Sequence, residues 1–247
     1  MRLRGSLFAF WLLPVVALPA ETDDLWREAL AAEARLDTRR ALELLLTVEA
    51  QRPDDAALLQ KIARQYSDLV VDLASPEEKR AAVQKALAYA QRAVALAPDR
   101  AENVLSVAIC YGKLGVYGGT RDKVRYSRLM REEAERALAL DPNYAWAHHL
   151  LGRWHYEVAE LGTTVRWLVR LFYGGLPEAS VATAVAHLER AVALEPTQLK
   201  HHLELGFAYL AAGALDRARQ AFAHGLAMPS REKHDESAKD RARAAFK

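Results

Sequence analysis

Residues 196–229, PTQLKHHLELGFAYLAAGALDRARQAFAHGLAMP, decide the fold. A proline closes each end, and proline stops a helix because it lacks an N–H and clashes with the preceding turn. Between the prolines, Leu205 and Gly206 stand side by side, Tyr209 follows at helical spacing, and Ala218 and Phe222 lie one turn apart. Gly225 then offers a small site where two helices can touch, since interaxial distance depends on the side chains at the crossing. Two-residue alternation is absent, and Ala, Leu, Glu and Arg dominate, all strong helix formers. The stretch reads as a packed pair of helices.

Working outward, the same ending recurs as VEAQRP at 48–53, AVALAP at 93–98, ALALDP at 137–142, AVALEP at 191–196 and GLAMP at 225–229. The closing prolines are 45, 44, 54 and 33 residues apart, spacings that signal a helical repeat. The last interval fits the tetratricopeptide template of about 34 residues. Counted from Pro142, Leu151 and Gly152 repeat the leucine–glycine pair, while Ala184, Leu188 and Ala191 match in the second helix, with about 20 extra residues between. From Pro53 and Pro98, Tyr66 and Tyr111 hold the aromatic and Ala93 and Ala137 the small site, with roughly 10 extra residues each. The first unit, 25–53, matches through its second helix alone, by Ala41, Leu45 and Val48. These positions predict an all-α, tetratricopeptide-like solenoid of about five irregular helix pairs with lengthened repeats, continuous over 24–230. The charged segment 231–247 is expected as a polar capping helix, or else as a frayed tail.

Composition narrows the function classes. Of 247 residues, 51% are hydrophobic and 27% charged, which excludes wholesale disorder. Lys and Arg total 34 against 32 for Asp and Glu, without the localised basic excess that nucleic-acid binding needs. Cys110 is the single cysteine, so an internal disulfide and a cysteine-built zinc site are excluded. Residues 1–20 read as an export signal: Arg2 and Arg4 form the positive start, 7–18 the apolar run, and Ala17 and Ala20 flank the cleavage site. That run is about 12 residues, short of the ~20 that span a bilayer. The chain is expected to be periplasmic or secreted, with an inner-membrane anchor by an uncleaved leader as the alternative.

More particular is LLGRWHYEVA at 150–159, together with LFYGGLPEA at 171–179 and the helix at 184–196. Over about 145–196 this specifically resembles the regulator of microtubule dynamics protein family, and the resemblance extends across most of 24–230. It implies a tetratricopeptide-like helical array with irregular, lengthened repeats. Animal members are associated with microtubules, spindle poles and organelle contacts, and the family is not known for enzymes. The export leader departs from that cytoplasmic setting, so the scaffold is expected to carry over and the partner is not.

Motifs for catalysis are missing: there is no phosphate-binding glycine loop, no Gly-x-Ser-x-Gly and no His-Glu-x-x-His. No enzyme activity and no cofactor are expected. Cys110 lies between Ile109 and Tyr111 on an apolar helix and reads as buried and structural, since reactive thiols need an electropositive, accessible setting. Glu132, Glu133 and Glu135 alternate with Arg131 and Arg136 as a solvated face. His148, His149, His155, His201 and His202 cluster in sequence, but His148 and His155 are nearly two turns apart, too far to close one metal site alone. They read as packing or solvated groups, and no metal is expected.

Two surfaces remain. In stacked helix pairs the first helices line a concave groove that binds extended peptides or partner helices. Trp146, His149, Arg153 and Tyr156 in the fourth unit and Lys200 and Phe207 in the fifth are expected there, with Arg64 and Lys113 from earlier units. Aromatics and arginine are what interface hot spots favour. The insertion 162–180 carries an apolar stripe of Val165, Leu168, Val169 and Phe172, widened by Trp167 and Leu171, with Arg166 and Arg170 opposite. It is expected either to fold back on the core or, through Arg166, Trp167, Arg170 and Phe172, to dock on a partner or a membrane surface. The sequence thus points to a non-catalytic scaffold for a protein or peptide partner. The alternative is a membrane-associated tether using the leader and the 165–173 helix.

Overall fold

The computed structural model describes residues 20–245, so the expected leader lies outside the described residues except for Ala20. Among the described residues there are twelve α-helices and no strand. Five antiparallel pairs follow one another: α1 (Ala20–Ala34) with α2 (Thr38–Glu49), α3 (Ala56–Asp68) with α4 (Pro76–Leu96), α5 (Ala101–Tyr117) with α6 (Thr120–Leu140), α7 (Ala145–Ala159) with α9 (Val181–Leu194), and α10 (Leu199–Ala211) with α11 (Leu215–Ala227). Between α7 and α9 sits α8 (Thr163–Tyr173), and α12 (Asp235–Ala244) follows the last pair. The all-α, tetratricopeptide-like solenoid predicted from the prolines is the architecture observed.

Local chemistry sets the ends. The second helix of every pair stops within four residues of its proline. Asp55 caps α3 by accepting from the N–H groups of Ala57 and Leu58. Ser75 and Glu78 form a reciprocal capping box ahead of Pro76 at the start of α4. Ser180 caps α9 by accepting from the Thr183 N–H. The extra residues of the second and third units go largely into α4 and α6, each 21 residues long.

Small residues hold each pair together. Ala93, Ala137 and Ala191 are fully buried. At Gly206 an added Cβ would stand 2.7 Å from the Phe222 ring, and at Gly225 it would stand 2.7 Å from Leu203 Cδ2. These helices touch backbone to side chain, which is why the leucine–glycine pair and the small site repeat. Successive pairs are joined by two kinds of contact: second helix to next first helix, and first helix to first helix, as in α3–α5, α5–α7 and α7–α10. No comparable contact joins α4 to α6 or α6 to α9. The first helices are therefore the crowded, inner side of the curve, and they form the groove.

Candidate functional site

On α7, Trp146, His149, Arg153 and Tyr156 recur every three or four residues and share a face. Lys200, Glu204 and Phe207 do the same on α10. Contact between α7 and α10 brings the two stripes together. Trp146 is half-buried, its ring 5.1 Å from His149 and 4.8 Å from His201, with the Lys200 ammonium 4.8 Å from its centre. Arg153 Nε donates to Glu157 Oε1 at 2.7 Å and lies 3.7 Å from Glu204.

His149 and Tyr156 require a correction. The sequence placed them on the open face, but they are 8% and 6% exposed. The seam between α7 and α10 is too close for their side chains to reach solvent, so they become the floor of the groove. His149 Nδ1 meets His201 Nδ1 at 3.0 Å. Burial drives the His149 imidazole well below its usual range, and the cations Arg153 and Lys200 push the same way. Burial likewise brings His201 down to about 2, with His149 and Lys200 adding to it. The pair is neutral, so one Nδ1 donates to the lone pair of the other.

Sequence reasoning missed Glu204, only 4% exposed. It accepts from the Tyr156 hydroxyl and from Arg241 of α12. Burial raises the Tyr156 pKa and the Glu204 carboxylate adds to the rise. Burial alone would lower the Arg153 pKa, but Glu204 and Glu157 outweigh it and hold the guanidinium charged. A signal existed: Glu204 follows Lys200 by one turn and is flanked by Leu203 and Leu205, so it is a charge on a helix that is otherwise buried.

Farther along the groove, Lys113 Nζ donates to the Ser67 carbonyl at 2.7 Å and lies 3.2 Å from His234 Nε2. Arg64 stands exposed, 3.7 Å from Asp68 and 3.9 Å from Glu33. Residues 230–235 approach these groups. Lys200 pairs with Glu232, His234 Nε2 is 3.2 Å from Asp68, and Lys233 Nζ is 3.0 Å from Asp72. Arg241 lies over the Phe207 ring, 4.3 Å from its centre. Of the segment 231–247, expected as a cap or frayed tail, the described residues 231–245 contain α12 and run along the concave face.

Outside the groove, the thiol, Trp154 and the other histidines of α7 and α10 are packed or hydrogen-bonded within the fold. Burial pushes the Cys110 thiol up to about 12. Trp154 is buried against α6, donating Nε1–H to Ser127 Oγ at 2.9 Å. His148 and His202, equivalent by the proline count, make equivalent contacts: their Nε2 atoms donate to the Pro142 and Pro196 carbonyls at 3.1 and 2.8 Å. His155 Nδ1 accepts from the Ser180 N–H at 3.3 Å. No group of three or more His, Cys, Asp or Glu among the described residues is placed to hold a metal ion.

The insertion folds back only in part: Leu176 and Ala179 pack against the core beside Trp154 and Val158, while most of α8 stays outside. Of α8 only Val169 is buried, whereas Trp167 is 59% and Phe172 68% exposed, with Arg166 and Arg170 also in solvent. Gly174 and Gly175, at φ 77° and 82°, end the helix in a left-handed turn that favours glycine. Arg128 of α6 pins this turn by donating Nε–H to the Gly175 carbonyl at 2.9 Å. No helix among the described residues is long and apolar enough to cross a membrane.

Comparison with known proteins agrees with this construction. The family model for regulator of microtubule dynamics protein 1-3 matches residues 21–247. Regulator of microtubule dynamics protein 1 of Bos taurus is 31% identical over 176 residues, covering 70% of this chain and 55% of that protein. Regulator of microtubule dynamics protein 3 of Xenopus laevis is 30% identical over 158 residues, covering 64% of this chain and 34% of that protein. The chain thus spans about half the length, or less, of these two relatives. Among solved structures, a thermophilic TPR protein of Thermus thermophilus superposes with a TM-score of 0.64 at 22% identity, over 91% of this chain and 98% of that one. That likeness concerns the fold. With repeats that lengthen in α4, α6 and α8, the signature at 150–179 and a family match running from residue 21 to the last residue, the chain belongs to the regulator of microtubule dynamics family.

Proposed function

We propose that the chain is a non-catalytic scaffold that binds a protein or peptide through the concave face of its repeats. The observation that carries this reading is the α7–α10 seam, where Trp146, Arg153, Lys200 and Phe207 stand over a buried floor of His149, His201, Tyr156 and Glu204. Rigid aromatics beside a charged arginine suit an interface, and the bonded floor holds them in place before a partner arrives. Several groups that could do chemistry are committed elsewhere: His149 and His201 bond to each other, His148 and His202 to carbonyls, and the thiol is buried. Affinity capture with the wild-type chain should recover a partner that Arg153→Glu no longer retains. Equal recovery by both chains refutes the groove.

The relatives' name ties them to microtubules, whereas this reading sets the chain outside the inner membrane by way of residues 1–20, away from tubulin. It therefore takes over the scaffold and leaves that partner aside. A mature protein beginning near Glu21 in the soluble fraction, read by intact mass, supports export.

A second reading is a membrane-associated tether, favoured by the exposed apolar side chains of α8 with Arg166 and Arg170 beside them. Such a helix lies in an anionic interface with its apolar face down. Flotation with vesicles containing anionic lipid should retain the wild-type chain and release the Trp167→Ala/Phe172→Ala variant. Failure of the wild-type chain to float removes the reading.

A further inference from the structure

The concave face already holds a piece of the chain, and the way it holds it describes what the groove selects. Residues 229–245 leave α11 at Pro229 and run along the inner face. Glu232 pairs with Lys200 and accepts from Gln198 Nε2 at 3.1 Å, and Asp235 Oδ1 is 3.6 Å from Lys200. Lys233 and His234 point the other way, to Asp72 and Asp68 of the second unit. Six residues after Asp235, Arg241 covers Phe207 and bonds to Glu204. Glu232, Lys233, His234, Asp235 and Arg241 thus face groups of the groove, while Glu236, Lys239, Asp240 and Arg243 pair among themselves.

The fit is specific yet loose. Cavities of about 350 and 340 Å³ flank the segment, one against the α9–α10 turn and one against α1 and α3. Asp235 Oδ1 is buried without a hydrogen-bond partner. Ala238 and Ala242 are the apolar groups α12 adds to the core, a small anchor beside the packing of α10 on α11. Ion pairs and hydrogen bonds carry the rest, among them Lys239 Nζ to the Met228 carbonyl at 2.6 Å.

We infer that residues 229–245 are a displaceable occupant of the groove, and that its partner is a segment with the same order of groups: carboxylate, lysine, histidine, carboxylate, and an arginine six residues on in the helix that follows. This inference rests on the groove reading above. A tethered segment competes at an effective concentration in the millimolar range, so a partner of like chemistry binds weakly until the segment lets go.

The probe is a fluorescein-labelled peptide of residues 229–245 added to the full chain. The Lys233→Glu/Arg241→Glu chain, whose own segment is repelled by Asp72 and Glu204, should bind the peptide at least tenfold more tightly than the wild-type chain. Adding Lys200→Glu should abolish that binding. A second variant guards against misfolding. Asp72→Cys/Lys233→Cys, closed with a bifunctional thiol crosslinker, should lose at least tenfold in peptide affinity against the same chain left open; the buried Cys110 does not compete for the reagent. Equal affinity in loosened and wild-type chains, and in closed and open ones, overturns the inference. So does a concentration-dependent wild-type dimer abolished by Glu232→Lys, which would give the groove to the segment of a second copy. Tighter peptide binding with partner recovery unaffected by Arg153→Glu keeps this inference and fails the proposed function. Partner loss at Arg153→Glu with one peptide affinity throughout does the reverse.

Discussion

At Gly152, α7 lies so near α9 that a Cβ would stand 2.5 Å from Leu188 Cγ and 3.0 Å from the Ala184 carbonyl oxygen. Neither atom is the free end of a flexible chain, so Gly152→Ala must push two helices apart. Overpacking of this kind costs about 1–3 kcal/mol, against a helix-propensity gain of about 1 kcal/mol. A lower urea midpoint is expected, and an unchanged or raised one refutes the close contact. The buried imidazoles set a pH dependence. Unfolded histidine titrates near 6.5, whereas folded His201 is held at about 2 and His149 well below the usual range. Above pH 6.5 neither state takes a proton and the native chain loses nothing. Below it the unfolded chain binds protons the native one refuses, so stability falls by about 1.4 kcal/mol per pH unit per group. Urea unfolding between pH 7.5 and 5 should show this decline, made shallower by His201→Asn.

Among the elements, α8 stands apart because only Val169 of its side chains is buried. Phe172→Ala should change stability by less than about 0.5 kcal/mol, while Leu188→Ala on α9, fully buried, should cost about 2–5 kcal/mol. Denaturant titration of both variants checks the contrast. The pairs themselves were legible because their signals are local: prolines close helices, and Gly206 and Phe222 meet within one hairpin. Placing α8 was harder. Its stripe of Val165, Leu168, Val169 and Phe172 is the pattern of a helix that packs, and periodicity does not say whether a surface waits to receive it. The floor of the groove was illegible for a related reason. Tyr156 and Glu204 are 48 residues apart, so each looked like an exposed groove residue or an ordinary helix charge until α7 and α10 were set side by side.

For the whole molecule, the contact that sequence reading could not supply joins opposite ends. Lys233 reaches Asp72 and the Leu36 carbonyl, 197 residues away, and no repeat template extends across such a span. Lys233→Glu, which sets like charges against each other there, should enlarge the maximum dimension seen by small-angle X-ray scattering. An identical profile would show the curvature to be fixed by the helix pairs alone. Successive units touch through their first helices, so the stack resembles a bow whose inner edge is in compression. The link from the fifth unit back to the second and first is a string drawn across that bow. Tension in one short strand then fixes the width available between every inner helix it passes, and letting it slacken anywhere would alter the gape of the arc everywhere.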